Sequence, residues 1–246
     1  MKLVIFGGTT EGRELSLLMA EEGARVTVCV ATDYGGETQD AHRNLTTRVG
    51  PLSPEEKQTL LRDADLCVDA THPYAECITH SVREACAEAG TPYLRLLREE
   101  SALEGALLFD GANAAAAYLE QTEGNILLTT GTKELAAFSH IDPDRLFPRV
   151  LPTHAALNEC ERLSVPHRNI IAMQGPFTRE LNEALMRQLQ IAYLVTKDGG
   201  APGGFPEKAA AAKAVGAQLL VLRRPAESGS GFAEILALCR AKLGEV

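Results

Sequence analysis

Residues 2–13, KLVIFGGTTEGR, limit what this chain can fold into more than any other stretch. Leu3 to Phe6 is an unbroken apolar run, as in a strand buried on both faces of a parallel sheet. Gly7 and Gly8 end it. Thr9 and Thr10 can cap a following helix, whose apolar spacing runs through Leu15, Leu18 and Met19. A strand, a glycine turn and a helix N-terminus together hold a phosphate. The glycines let the backbone approach, and the helix's unpaired N–H groups and positive dipole end face the anion. The fit to the dinucleotide fingerprint G-x-G-x-x-G is partial, with Gly7 and Gly12 at the outer positions and Thr9 in the middle one. A tight strand-to-helix turn has the same pattern, but its place on the first strand of an α/β chain points to a nucleotide site.

Strand-like and helical runs alternate through the rest of the chain. Strands are expected at 26–31, 46–49, 66–70 and 92–96, and again at 125–129, 145–151, 169–173, 191–196 and 218–222. Ser53-Pro54-Glu55-Glu56 starts a helix well, with Ser at the cap, Pro at the first position and Glu three residues after the cap. Residues 98–111 have no clear period and read as a connection between domains. The pattern then restarts: ILLTTGTKEL is a shorter version of VIFGGTTEGREL. Alternation of this kind implies parallel sheets with right-handed crossovers. Ten strands in two sets of five predict an α/β chain of two doubly wound, Rossmann-like domains, 1–100 and 112–246, with a cleft between them, rather than one eight-stranded barrel.

Composition narrows the partners. The net charge is −9, with 10 Lys+Arg against 17 Asp+Glu in residues 1–100. That balance offers no broad basic face for nucleic acid, though a few placed cations can still hold a small anion. No apolar run reaches the ~20 residues of a membrane span, and the start has no signal-peptide character, so the expected location is the cytoplasm. The six cysteines form no C-x-x-C pair and read as reduced, mostly buried thiols. Cys77, His80 and His72 are read as a coincidence of spacing, and no metal is expected.

In open parallel sheets, ligands bind beyond the carboxyl ends of the strands. Five such ends carry unusual residues: 7–13, then DATHPYA, TTGTKEL, MQGPF and TKDGGAPGGF. Together they describe a surface lined for an anionic ligand. His72 can bond a ribose or phosphate, move a proton near neutral pH, or simply cap the next helix. Lys133, Lys197 and Lys208 suit point-charge recognition of carboxylates or phosphates, and Arg95, Arg98 and Arg149 suit bidentate recognition. The second strand ends Val30-Ala31-Thr32-Asp33, with no carboxylate where a ribose 2′-hydroxyl would need one. With Arg13 close by, this favours NADPH, with NADH as the alternative. Tyr193 and Lys197 have the Y-x-x-x-K spacing of short-chain dehydrogenases, but IAYLVTK reads as a strand, which would hold the two side chains too far apart.

At GGTTEGREL, VDATHPYA, YLRLLR, LLTTGTKEL, RVLP, IIAMQGPFTRELN, VTKDGG and EKAAAA the chain resembles, in order, the precorrin-6A reductases (CobK/CbiJ) of cobalamin biosynthesis, over residues 1 to about 225. The resemblance implies hydride transfer from a reduced nicotinamide to a double bond of a polycarboxylate tetrapyrrole. It implies a nucleotide held by Gly7, Gly8, Thr9, Thr10, Glu11, Gly12 and Arg13, with Thr32 and Thr71 beside it. The substrate would meet Lys133, Gln174, Gly175, Pro176, Phe177, Gly200 and Lys208. A proton would come from His72, Tyr74 or Lys197. Two positions depart from the family: Gly199 stands where a Ser is usual, and Glu99 where a Pro is usual. The alternatives are a short-chain-dehydrogenase-like oxidoreductase and a non-catalytic NADP(H)-binding regulatory module, which would need only the first domain.

Overall fold

The computed structural model describes residues 1–31, 33–98, 101 and 103–245. The chain divides into two units, 1–99 with 225–246, and 100–224.

In the first unit, β1 (Lys2–Phe6) leads into helix α1 (Thr10–Glu21), followed by β2 (Arg25–Val30), α2 (Asp33–Glu37), β3 (Leu45–Val49), α3 (Pro54–Arg62), β4 (Leu66–Asp69), α4 (Glu76–Ala89) and β5 (Tyr93–Arg95). The strands form one parallel sheet in the order β3-β2-β1-β4-β5. The apolar run of β1 has the expected cause. Leu3 and Ile5 pack on one face with Leu15 and Met19, while Val4 and Phe6 pack on the other with Leu61, Val82 and Cys86. The start of α3 is a full capping box: Ser53 Oγ accepts from Glu56 N at 3.2 Å, and Ser53 N donates to the Glu56 carboxylate at 2.7 Å.

The second unit contains β6 (Leu107–Phe109), α5 (Ala112–Leu119), β7 (Asn125–Thr129), β8 (Leu146–Val150), α6 (His154–Arg162), β9 (Ile171–Ala172), α7 (Arg179–Gln188), β10 (Ile191–Lys197), α8 (Phe205–Val215) and β11 (Gln218–Leu222). Its parallel sheet runs β6-β11-β10-β7-β8-β9. Counted from β7, the order β9-β8-β7-β10-β11 repeats that of the first sheet, so the restart seen in the sequence is a repeat of topology. Ile126 and Leu128 face the core with Leu119, Phe138 and Cys160; Leu127 faces Met186, Phe205 and Ala212.

The second unit departs from expectation in three places. Residues 98–111 contain a strand, β6, which pairs with the edge strand β11; three residues are too few to show a period. Where the likeness of ILLTTGTKEL to VIFGGTTEGREL implies a helix after β7, the chain makes a run of tight 3₁₀ turns, Thr132–Phe138. The closing helix α9 (Phe232–Gly244), expected in the second domain, belongs to the first unit, where Ile235 and Cys239 cover the Leu3–Ile5 face beside α1. Amphipathic spacing shows that a helix needs a core, not which one. A parallel bridge of Leu96 with Ser230 extends the β5 edge. Gly229 lets the chain pass there, since a Cβ on it would lie 2.5 Å from the Arg95 carbonyl oxygen.

Candidate functional site

Each sheet has one point where successive connections leave in opposite directions, between β1 and β4 and between β7 and β10. Ligands of open α/β sheets bind outside the carboxyl ends of those strands. The loops there are the ones with unusual sequence.

After β1, Gly7 N donates to Cys29 O at 2.8 Å, and Gly8 takes φ +122°, a conformation that favours glycine. Thr9 caps α1: its Oγ accepts from Gly12 N at 3.1 Å and donates to Ala70 O at 2.8 Å, tying the turn to the loop after β4. A Cβ on Gly12 would lie 2.8 Å from the Ala70 Cβ, so only glycine lets α1 lie this close. Thr10 and Glu11 head the helix, where backbone N–H groups lack intrahelical partners. The glycine turn, the open approach at Gly8 and the helix N-terminus fit the diphosphate of a dinucleotide.

Glu11 brings a negative charge to the spot that should receive an anion. Arg98 neutralises it with a bidentate pair, Nε to Oε1 at 2.7 Å and Nη2 to Oε2 at 2.5 Å. Arg98 suits bidentate binding of a carboxylate, and here that carboxylate belongs to the protein. Thr9, Glu11, Thr71, Pro73, Leu96 and Arg98 line one small depression. Arg13 lies on the exposed side, 3.9 Å from Asp40 and 3.4 Å from Thr38 O. Thr32 lies outside the described residues.

The loop after β4 is anchored from below by Asp69. Its fully buried carboxylate accepts from Thr71 N (3.0 Å), Thr71 Oγ (2.7 Å), Tyr93 OH (3.0 Å) and Arg95 Nη1 (3.1 Å). Burial, reinforced by the Asp69 charge, raises the Tyr93 phenol well above its usual range. Arg95 also donates to Thr71 O at 2.9 Å and pairs with Glu227 at 2.8 Å. It is therefore a structural pin. The Thr71 hydroxyl points into this network. Above it, His72 Nδ1 accepts from Tyr74 N at 3.4 Å, and the two rings lie 5.6 Å apart. His72 does not cap α4, whose cap position is Ala75.

In the second unit, Lys197 ends β10 and pairs with Glu134 at 2.8 Å; Lys133 beside it is exposed. Tyr193 and Lys197 share strand β10, which removes the short-chain-dehydrogenase alternative. Burial would raise the Asp198 pKa, but two Ser101 donors, Gly200 N and Arg224 hold it below the usual range. This pins the loop in which Gly200 takes φ +68°. Gln174 and Pro176 are exposed, and Gly175-Pro176 is cis. Phe177 stacks under the Arg149 guanidinium at 4.2 Å. Gly204, just before α8, faces Pro176, which brings the Gln174–Phe177 loop up to Lys208 on the first turn of α8. Among the described residues, no three His, Cys, Asp or Glu side chains group as metal ligands, and no helix is long and apolar enough to cross a membrane.

Two doubly wound sheets with a phosphate-type turn at the first switch point define the class, a paired Rossmann-like α/β protein. A family model described as "Precorrin-6x reductase CbiJ/CobK" matches residues 2–240, and the chain belongs to that family of oxidoreductases acting on a CH–CH bond. It is similar to the cobalt-precorrin-6A reductase of Methanothermobacter thermautotrophicus, 32% identical over 232 residues that cover 92% of this chain and 77% of that one. The cobalt-precorrin-6A reductase of Priestia megaterium is 33% identical over 236 residues, 91% of this chain and 90% of its own. A precorrin-6A reductase of Sinorhizobium sp is 29% identical over 240 residues, covering 92% and 87%. A solved structure described as CobK precorrin-6A reductase shares the fold with a TM-score of 0.78 over 98% of this chain and 97% of that one, at 23% identity.

Proposed function

We propose that this protein reduces one carbon–carbon double bond of precorrin-6A, or of its cobalt-containing counterpart, to give precorrin-6B in cobalamin biosynthesis, with NADPH as reductant. The match of the family model from residue 2 to residue 240 carries the reading, because it spans both switch points rather than the nucleotide turn alone. A regulatory module that only binds NADP(H) would leave the second unit's motifs without a task.

The bound nicotinamide supplies the hydride; the chain must hold the cofactor, hold the macrocycle and deliver one proton. Gly7 to Gly12 hold the diphosphate through backbone donors, and the Glu11–Arg98 pair keeps that spot free of net negative charge. Arg13, exposed and only loosely paired, suits the 2′-phosphate that distinguishes NADPH. Lys133, Gln174 to Phe177, Gly200 and Lys208 meet the substrate. Of His72, Tyr74 and Lys197, Lys197 is favoured as proton donor: it stands at the β10 switch point with its ammonium positioned by Glu134, whereas His72 Nδ1 is turned onto its own loop. A biosynthetic reaction drawing on NADPH belongs in the cytoplasm. The test is loss of reduced-nicotinamide absorbance when purified protein meets precorrin-6A or its cobalt form. Oxidation of neither NADPH nor NADH with either substrate would refute the reading.

A further inference from the structure

Strand β2 divides its side chains between two environments. Val26, Val28 and Val30 are buried against Leu3, Ile5 and Leu15 on one face of the first sheet. Arg25, Thr27 and Cys29 alternate onto the other face. There Cys29 packs with Val4, Phe6 and Leu61, but toward the amino ends of the strands the same face carries charges and hydroxyls. The register puts Lys2 beside Arg25, and Thr27 beside Thr46. A cavity of about 350 Å³ opens at this end, between the strands and α3. Its lining holds three cations, Lys2, Arg25 and Arg43, against one carboxylate, Asp63. Lys2 Nζ takes that carboxylate at 2.5 Å. Among the described residues, the guanidinium groups of Arg25 and Arg43 make no hydrogen bond or ion pair. Glu55 and Glu56, further along α3, are turned onto Ser53 in the helix cap. Like charges at paired positions of neighbouring strands repel, and Lys2 and Arg25 are such a pair. A concave surface with two positive charges in excess also runs against residues 1–100, where 10 Lys+Arg face 17 Asp+Glu.

We propose that this cavity binds a small phosphate monoester, at a site separate from the glycine turn, which lies at the opposite end of β1. The dianionic head matches the excess of two positive charges, and Arg25 and Arg43 supply forked donors to it. The hydroxyls of Thr27 and Thr46, on adjacent strands, offer neutral donors beside them. Val4, Leu60 and Ala64 give the organic part an apolar surface. The volume lies at the lower end for small-molecule pockets, which suits a ligand no larger than a mononucleotide. The site stands whether or not the protein reduces precorrin-6A.

The test is a ³¹P NMR titration of the intact protein with phenyl phosphate at about pH 8, where the ester is a dianion, with sodium chloride holding the ionic strength constant. The wild type should bind it saturably. Arg25→Gln and Arg43→Gln should each weaken binding about tenfold, and the double variant should abolish it. Arg48→Gln, which removes an exposed cation outside the cavity lining, should leave binding unchanged. Inorganic phosphate, which leaves the apolar surface bare, should bind about tenfold more weakly than the ester. The double variant should bind NADPH as the wild type does. Absence of saturable binding, binding that survives the double variant, or equal weakening by Arg48→Gln overturns the site. Equal affinity for inorganic phosphate overturns the assignment to an ester. A parallel loss of NADPH affinity in the double variant would make the cavity part of the cofactor site and overturn its independence.

Discussion

Replacing Lys208 with methionine keeps a side chain of similar length and an apolar stem while removing the ammonium. In the native protein Lys208 is 9% exposed, and desolvation, with Arg149 adding repulsion, lowers its pKa from 10.5 to about 8. A gap of about 2.5 between the two values, at 1.36 kcal/mol each, means that folding disfavours the charged amine by roughly 3 kcal/mol. Because the folded value is the lower one, the unfolded chain binds more protons between about pH 8 and 10.5. Native stability therefore rises with pH across that window, and below it the full penalty applies. Lys208→Met should be the more stable protein near neutral pH by roughly 3 kcal/mol, about 10 °C in melting temperature for a unit of this size. The advantage should fade toward about pH 10.5. Urea titrations of wild type and variant near pH 7 and near pH 10 measure it. A variant less stable than wild type near neutral pH, or a difference that ignores pH, would refute the account of an uncompensated buried cation.

Gly12→Ala puts a methyl 2.8 Å from the Ala70 Cβ; it should cost about 1–3 kcal/mol and weaken nucleotide binding, read by urea denaturation and by NADPH fluorescence titration. Unaltered affinity would mean the turn does not hold the cofactor. Arg95→Met leaves Asp69 and Glu227 without their buried partner. It should destabilise by about 3–5 kcal/mol and open 223–231 to limited proteolysis, whereas resistance to protease would show that residues 225–246 are held by α9 alone. Lys197→Ala should lower kcat by about a hundredfold or more with little change in KM if it delivers the proton; a rise in KM alone would assign it to binding.

Much of the fold was legible because it follows from local rules. A run such as LVIF states that both faces of its sheet are covered, and Ser53-Pro54 with Glu56 states where α3 begins. The repeat of GGTTEGREL in TTGTKEL was visible as words and proved to be a repeat of strand order. What stayed hidden depends on where distant segments meet. The three residues of β6 form a strand only because β11 offers an open edge, and α9 returns to the first unit because the Leu3–Ile5 face needs a second cover. Of the candidate site, the loops that follow the switch-point strands were visible in the sequence and the partners of individual cations were not. Arg95, Arg98 and Arg149 look alike in sequence, each at or just beyond the carboxyl end of a strand.

Their partners separate them, and the separation carries a functional meaning. On the proposed reading, the first unit holds the diphosphate with backbone donors and a helix terminus, which need no cation of their own. Its arginines are free to satisfy protein carboxylates: Arg95 pins Asp69 and Glu227, and Arg98 cancels the charge that Glu11 brings to the helix end. In the second unit, Arg149 and Lys208 remain buried without a counter-ion among the described residues, while the acids closest to them are satisfied elsewhere or left out of reach. A fold tolerates such an arrangement when a ligand's charge completes it, because stability given up in the free protein returns as affinity when the anion binds. The stability gain of Lys208→Met and its loss of substrate affinity should therefore come from the same charge. The two effects should appear together near neutral pH and weaken together as the pH rises above about 8, the stability gain fading out toward about pH 10.5.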